Sequence, residues 1–169
     1  MGDPKKPRKK YKTPRNPWRA DQIAQELYLI GIYGLRNKRE LWKIQTELSR
    51  LRKEARLLLA ASFDFRAVKE PKLVSSLIKK GVISPNGTLD DFLNMTIENF
   101  LDRRLQTLVW KRGLAVNPHQ SRQMISHGHI LVKNSVLTIP GYIVRSDEEE
   151  TVRIRDNSPI LTSRTVKPI

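Results

Sequence analysis

The strongest hydrophobic pattern in the chain lies between Asn37 and Ala60. Leu41, Ile44, Leu48, Leu51, Ala55 and Leu58 recur at steps of 3, 4, 3, 4 and 3. That is the period of one helix face, so the spacing predicts a long amphipathic helix. Arg39, Lys43, Arg50 and Lys53 form a second stripe on its far side, with Glu40, Glu47 and Glu54 beside them at helical pairing distance. Upstream, a helical pattern starts at Asp21. Ile23, Leu27 and Ile30 share one of its faces, and Gly31 and Gly34 weaken its end. Downstream, residues 62–70 read as a connector. Leu73, Val74, Leu77 and Ile78 then predict a short helix ending at Gly81. The run SPNGT at 84–88 reads as a turn. Thr88 with Asp91 three residues on, before Phe92 and Leu93, marks another helix start, with Asp90 and Asp91 in the favourable first turn.

From Asn99 to Arg155 the period changes. Leu101, Leu105 and Leu108 predict a helix closed by Gly113, with Arg103, Thr107 and Trp110 on its opposite face. Asn117 as N-cap, Pro118 at the first helical position and Gln120 three residues after the cap predict a second helix, ending at His127-Gly128. Its Arg122 lies well away from Met124 around the helix. Three β-like runs follow, HILVKNSVLTI, YIV and TVRI, with Asn134-Ser135 as a two-residue turn. The chain is therefore expected to be α+β. A basic extended arm (1–19) leads into a helical region (20–98). A small two-helix plus antiparallel-sheet unit (99–155) follows, then a C-terminal tail (156–169) that reads as flexible with weak β-character.

Charge narrows the partner. The 169 residues carry 32 Lys or Arg against 17 Asp or Glu, a net +15, and the isoelectric point is about 10.4. That excess points to a polyanion. There is no cysteine, so disulfides and cysteine-ligated zinc are excluded. No apolar run approaches the ~20 residues of a membrane span, and the basic start lacks the apolar core of a secretory signal. An apolar content of 38% is low, so part of the chain is expected to order only against its partner. Residues 1–19 hold eight Lys or Arg, one Asp and four prolines, with Tyr11 and Trp18 interleaved. They read as a solvated tail or as an arm that neutralises phosphates, and the aromatics favour the arm. The stripe on the long helix reads as a solvated face or as an RNA-facing one. Seven cations against three anions in 37–60 favour RNA. Residues 71–99 are balanced in charge and read as packing. Ser146 to Glu150, SDEEE, is the one acidic cluster and is expected to point away from phosphate.

The order of elements in 99–155, with FLDRRL, SRQMISHGHILVKN, and IPGYIV before an acidic turn and VRI, resembles the S-four RNA-binding module. Upstream, YKTPRNPW, LIGIYGLRNKRELWKIQ and LRKEARLLL are similar to the archaeal and eukaryotic branch of the small-subunit ribosomal protein four family. Together they carry the resemblance from about Lys10 to Ile154. The chain departs from the family's Asn-Gly-Lys hairpin, having Asn134-Ser135-Val136, and lacks the cysteine cluster of some bacterial members. By position, the resemblance implies an RNA-facing surface at Arg103, Arg104, Arg122, Gln123, His127 and Lys133. Charge adds Lys111, Arg112 and His119, the loop cation Arg36, the long-helix cations Lys38, Arg39, Lys43, Arg50 and Lys53, and the arm's Lys9, Lys10, Lys12 and Arg15. Replacing Arg103 and Arg122 with Ala is expected to weaken RNA binding and leave the fold intact.

The resemblance implies a structural, non-enzymatic constituent of the small ribosomal subunit, cytoplasmic and within the ribosome. It implies that the chain binds folded rRNA early in assembly, in the subunit body. Its neighbours would be small-subunit proteins two and five and the mRNA where it enters. No catalytic residue, cofactor, metal site or membrane contact is expected. His119, His127 and His129 are not spaced as a metal set, and Ser126 and His127, adjacent on a helix, do not face each other. Neither a P-loop nor a dinucleotide turn is present. The runner-up is a nucleolar ribonucleoprotein factor for pre-rRNA processing. A less favoured alternative is an RNA-modifying enzyme, for which residues 1–98 are too few and wrongly patterned.

Overall fold

The structure, a computed structural model, describes residues 9–84, 87–156 and 158–159. Residues 1–8 of the arm, 85–86 of the predicted turn, and 157 and 160–169 of the tail lie outside the described residues. Helix α1 is Ala20–Tyr33, and Gly34 closes it in the left-handed conformation at φ 58°. Helix α2 is Lys38–Leu59, and its cap is Asn37, whose side chain accepts from the Glu40 N–H. The predicted stripe is its buried face. Leu41, Leu48, Leu51, Ala55 and Leu58 are buried and Ile44 is half-buried.

Helix α3, Phe63–Lys79, begins ten residues before the predicted short helix and has Pro71 inside it. Residues 63–70 are thus helical, not a connector. The reason they were unreadable is that Phe63, Phe65 and Val68 are exposed, so this part of the helix buries no stripe for the period to report. Helix α4, Leu89–Asn94, starts at the predicted Thr88–Asp91 capping box. Leu77 from α3, Leu89 and Phe92 from α4, and Met95 and Phe100 pack on the lower half of the α2 stripe. Each full burial of a large apolar side chain is worth roughly 1.5–3 kcal/mol, which is why α2 anchors the N-terminal half. A smaller cluster of Tyr33, Leu35, Leu41 and Leu101 joins the end of α1 to the start of α2.

The predicted helix over Leu101–Gly113 is two helices, α5 (Ile97–Asp102) and α6 (Leu105–Lys111), broken at Arg103-Arg104. At the break the backbone turns to the YIV run. The Leu105 N–H donates to the Tyr142 carbonyl at 2.8 Å, and the Val144 N–H donates to the Arg103 carbonyl at 3.0 Å. YIV therefore braces α6 and does not enter the sheet. Helix α7 is Pro118–Ser126, and the Asn117 side chain accepts from the Gln120 N–H at 2.8 Å, as its sequence predicts.

The sheet is small and antiparallel, in the order β2-β1-β3, with β1 Ile130–Val132, β2 Ser135–Val136 and β3 Arg153–Ile154. Val132 pairs with Ser135, so the hairpin turn is Lys133-Asn134, one residue earlier than predicted. Both turn residues have positive φ, 47° and 66°, which is the type I′ geometry that matches strand twist. Leu105, Val109, Met124, Ile125, Ile130, Val132, Val144, Val152 and Ile154 form one core beneath α6, α7 and the sheet. The α+β arrangement is as expected.

Candidate nucleic-acid interface

The module and the helical region meet at a seam built around one amide. Gln106 on α6 is fully buried. Its Nε2 donates to the carbonyls of Gly34 at 2.8 Å, Pro118 at 3.0 Å and Tyr33 at 3.2 Å. Its Oε1 accepts from Arg122 Nη1 at 3.2 Å. One side chain thus ties the end of α1, the start of α7 and α6 together. Gly34 is needed for the close approach, because a Cβ there would lie 2.8 Å from the Pro118 Cβ.

Beside Gln106 lies Glu40 of α2. Its Oε1 accepts from Arg122 Nη2 at 2.6 Å, and its Oε2 accepts from Arg104 Nη2 at 2.7 Å and Arg122 Nη1 at 3.2 Å. Burial pushes the Glu40 carboxyl up, but hydrogen bonds from Arg122 and Arg104 outweigh it and hold the carboxyl below its usual range. Arg104 is only 4% exposed. It is a structural cation of the seam and does not lie on the outer surface where the resemblance places it. Arg122 is likewise committed to Glu40 and Gln106.

Two more predicted groups are engaged by the acidic cluster, which folds as a 3₁₀ turn over Ser146–Thr151. Arg103 Nη1 meets Glu149 at 2.6 Å. Lys133 Nζ meets Asp147 at 2.6 Å and Glu148 at 3.4 Å. Burial raises the Glu148 carboxyl pKa, but hydrogen bonds from the Tyr142 hydroxyl, the Arg145 N–H and Lys133 bring it below the usual range. The cluster therefore neutralises module cations. The expectation that Arg103 and Arg122 can be removed without harm to the fold does not fit these contacts. Their apolar-stripe positions said nothing of carboxylates brought in from 46 and 82 residues away.

Other predicted cations also have partners. Lys38 pairs with the buried Glu26 at 3.1 Å, Arg50 with Glu47 at 2.9 Å and Lys111 with Asp102 at 2.9 Å. The Arg50 and Lys111 pairs are exposed and weak, at ~0–1 kcal/mol, whereas the Lys38 pair holds a carboxylate that is only 4% exposed. Among the described residues, Lys10, Lys12, Arg15, Arg36, Arg39, Lys43, Lys53 and Arg112 are exposed and form no ion pair. Lys9 lies 4.7 Å from the centre of the Tyr11 ring.

The arm is seated on α2. Tyr11 stacks on Trp42 at 6.0 Å, and the Lys12 N–H donates to Thr46 Oγ1 at 2.9 Å. Between Lys12–Pro14 and Gln45, Ser49 and Lys53 runs an open basic cleft of about 480 Å³. On the module, His119, Gln123 and His127 are exposed along α7. The rings of His127 and His129 stack at 6.2 Å. Among the described residues no cluster of three His, Cys, Asp or Glu could hold a metal ion.

Sequence reading missed one group of cations. Lys79 and Arg145 are exposed and line a shared depression with Ser146 where α3 meets the module. Counting charge over 71–99 hid Lys79, because the acids of that segment, Asp90, Asp91 and Glu98, sit on α4 and α5. A helix-by-helix count would have found it.

The chain is similar to known proteins along most of its length. The S4 domain family matches residues 103–150. The chain is 49% identical over 164 residues to the small ribosomal subunit protein uS4 of Hyperthermus butylicus, covering 97% of this chain and 93% of that protein. It is 46% identical over 159 residues to that of Ignicoccus hospitalis, covering 94% and 96%. With that of Methanosphaera stadtmanae it shares 42% over 160 residues, covering 95% and 88%.

Proposed function

Because the chain belongs to the small ribosomal subunit protein uS4 family, we propose that it is a structural constituent of the small ribosomal subunit that binds folded rRNA. The observation that carries this is the extent of the likeness. It runs through the arm and helical region, covering 97% of the chain. An enzyme with an appended RNA-binding module would match over the module alone. Its relatives are ribosomal proteins, and no catalytic step enters the reading.

The mechanism is electrostatic and geometric. Exposed Lys and Arg release counterions from phosphates, which gives affinity and a steep salt dependence. The rigid α6–α7 pair supplies shape recognition, since base edges in the A-form groove are poorly accessible. We assign the RNA surface to the arm with Lys9, Lys10, Lys12 and Arg15, to Arg36, Arg39, Lys43 and Lys53 beside and along α2, and to Arg112, His119, Gln123 and His127 on the module. Arg104 and Arg122 hold that surface together. In the assembled subunit we place the chain in the body near the channel through which mRNA enters, beside small-subunit proteins two and five, as an early-binding component.

Co-sedimentation tests the reading. The protein is expected to travel with mature small subunits through salt washes. Association with precursors alone would overturn it in favour of a processing factor. Base modification or hydrolysis of rRNA by the purified protein would overturn it in favour of an enzyme.

A further inference from the structure

Glu40 is an acid in the middle of a cation set intended for phosphate. On charge alone it weakens RNA binding. Its geometry gives it another task. The carboxylate spans two elements of the module with both oxygens, and Arg122 grips it with two nitrogens at 2.6 and 3.2 Å. A bidentate arginine–carboxylate pair fixes orientation as well as distance. Arg104 at 2.7 Å fixes the start of α6 on the same carboxylate. Glu40 is itself set by the helix start, since its N–H donates to the Asn37 cap at 3.2 Å.

The free polar groups flank this joint on both sides. Arg39 precedes Glu40 in α2, and Arg36 lies just before the cap. His119 stands three residues before Arg122, on the same side of α7, and Gln123 follows it. A helix is stiff over one turn, so the orientation set at the carboxylate is passed to these neighbours.

We infer that Glu40 is a positioning residue for RNA recognition: its carboxylate locks α6 and α7 onto α2, so that the exposed cations on α2 and the exposed polar groups on α7 keep one spacing. This rests on reading the chain as an rRNA-binding protein. Folded RNA offers phosphates at fixed separations. A surface of equal charge but loose spacing keeps its non-specific affinity and loses discrimination.

The test sets geometry against charge. Binding to a small-subunit rRNA fragment and to an unrelated folded RNA of equal length is measured for the wild type, Glu40→Gln and Glu40→Asp. Removing the charge should tighten every RNA complex if Glu40 acts only through its field. The positioning role predicts that Glu40→Gln loses about tenfold for the rRNA fragment, the scale of one charge-assisted hydrogen bond, while the unrelated RNA binds as well or better. Glu40→Asp keeps the charge and shortens the reach, so it should fold and show a smaller loss in the same ratio. A purely destabilising change would lower both affinities together and leave the ratio unmoved. Wild-type ratios in Glu40→Gln and Glu40→Asp overturn the inference. Absence of any preference in the wild type overturns the underlying reading instead.

Discussion

Gln106→Leu should be one of the most damaging single substitutions in the chain, although the two side chains are close in size. The amide has two N–H groups shared among three carbonyls at 2.8, 3.0 and 3.2 Å. At least two of those carbonyls lose their best donor on substitution. The Tyr33 and Gly34 carbonyls lie at the C-terminal end of α1, where helix carbonyls have no partner in their own helix. A buried polar group left unpaired costs about 1–3 kcal/mol, so two cost roughly 2–6 kcal/mol. Leucine recovers about 1–2 kcal/mol through added apolar burial. The net loss should be about 1–4 kcal/mol, against a total stability of order 5–15 kcal/mol. Urea unfolding followed by circular dichroism measures it. Gln123→Leu, on the exposed face of α7, is the control and should stay within about 0.5 kcal/mol. A loss below about 1 kcal/mol for Gln106→Leu, at an unchanged denaturant slope, would refute the claim that the amide fastens the seam.

Gly34→Ala should cost at least about 1–2 kcal/mol from left-handed backbone strain alone, with a further penalty from contact with Pro118, both read by thermal unfolding. Stability should also fall in acid. Glu40 and Glu148 have folded pKa values below the ordinary 4.5, so they stabilise the fold at neutral pH. That contribution is lost as pH falls from about 4.5 through their depressed values. The slope of unfolding free energy below pH 4.5 should be shallower in Glu40→Gln. Lys43→Ala and Arg112→Ala should leave stability within about 0.5 kcal/mol. Each should lower the log–log salt slope of rRNA binding by up to about 1, and an unchanged slope in both would remove them from the surface.

What could be read in advance was local. The α2 stripe repeats over five intervals, and its burial follows from period alone. Asn117-Pro118 and Thr88-Asp91 name their helix starts because a cap is satisfied within three residues. The break at Arg103-Arg104 was hidden because Leu101, Leu105 and Leu108 keep a helical rhythm across it. Only the arrival of Tyr142 and Val144 at the backbone interrupts the helix. The turn slipped by one residue because Asn134 suits either register, and the Val132–Ser135 pairing decides between them. Glu40 read as a partner for its own helix stripe, since nothing near it announces Arg104 or Arg122. Arg103, Arg104 and Arg122 were claimed by carboxylates 46, 64 and 82 residues away.

The separations across the seam, 64 and 72 residues for Arg104–Glu40 and Gln106–Gly34 and 82 for Arg122–Glu40, also order events in time. Synthesis delivers α1 and α2 long before α7. Contacts of such high sequence separation form late, because a long loop must close first. A nascent chain halted before Pro118 would carry Glu40 with its bidentate arginine still unmade and the Gly34 carbonyl open to water. Maturation then turns on one closure, completed only once α7 has left the exit tunnel.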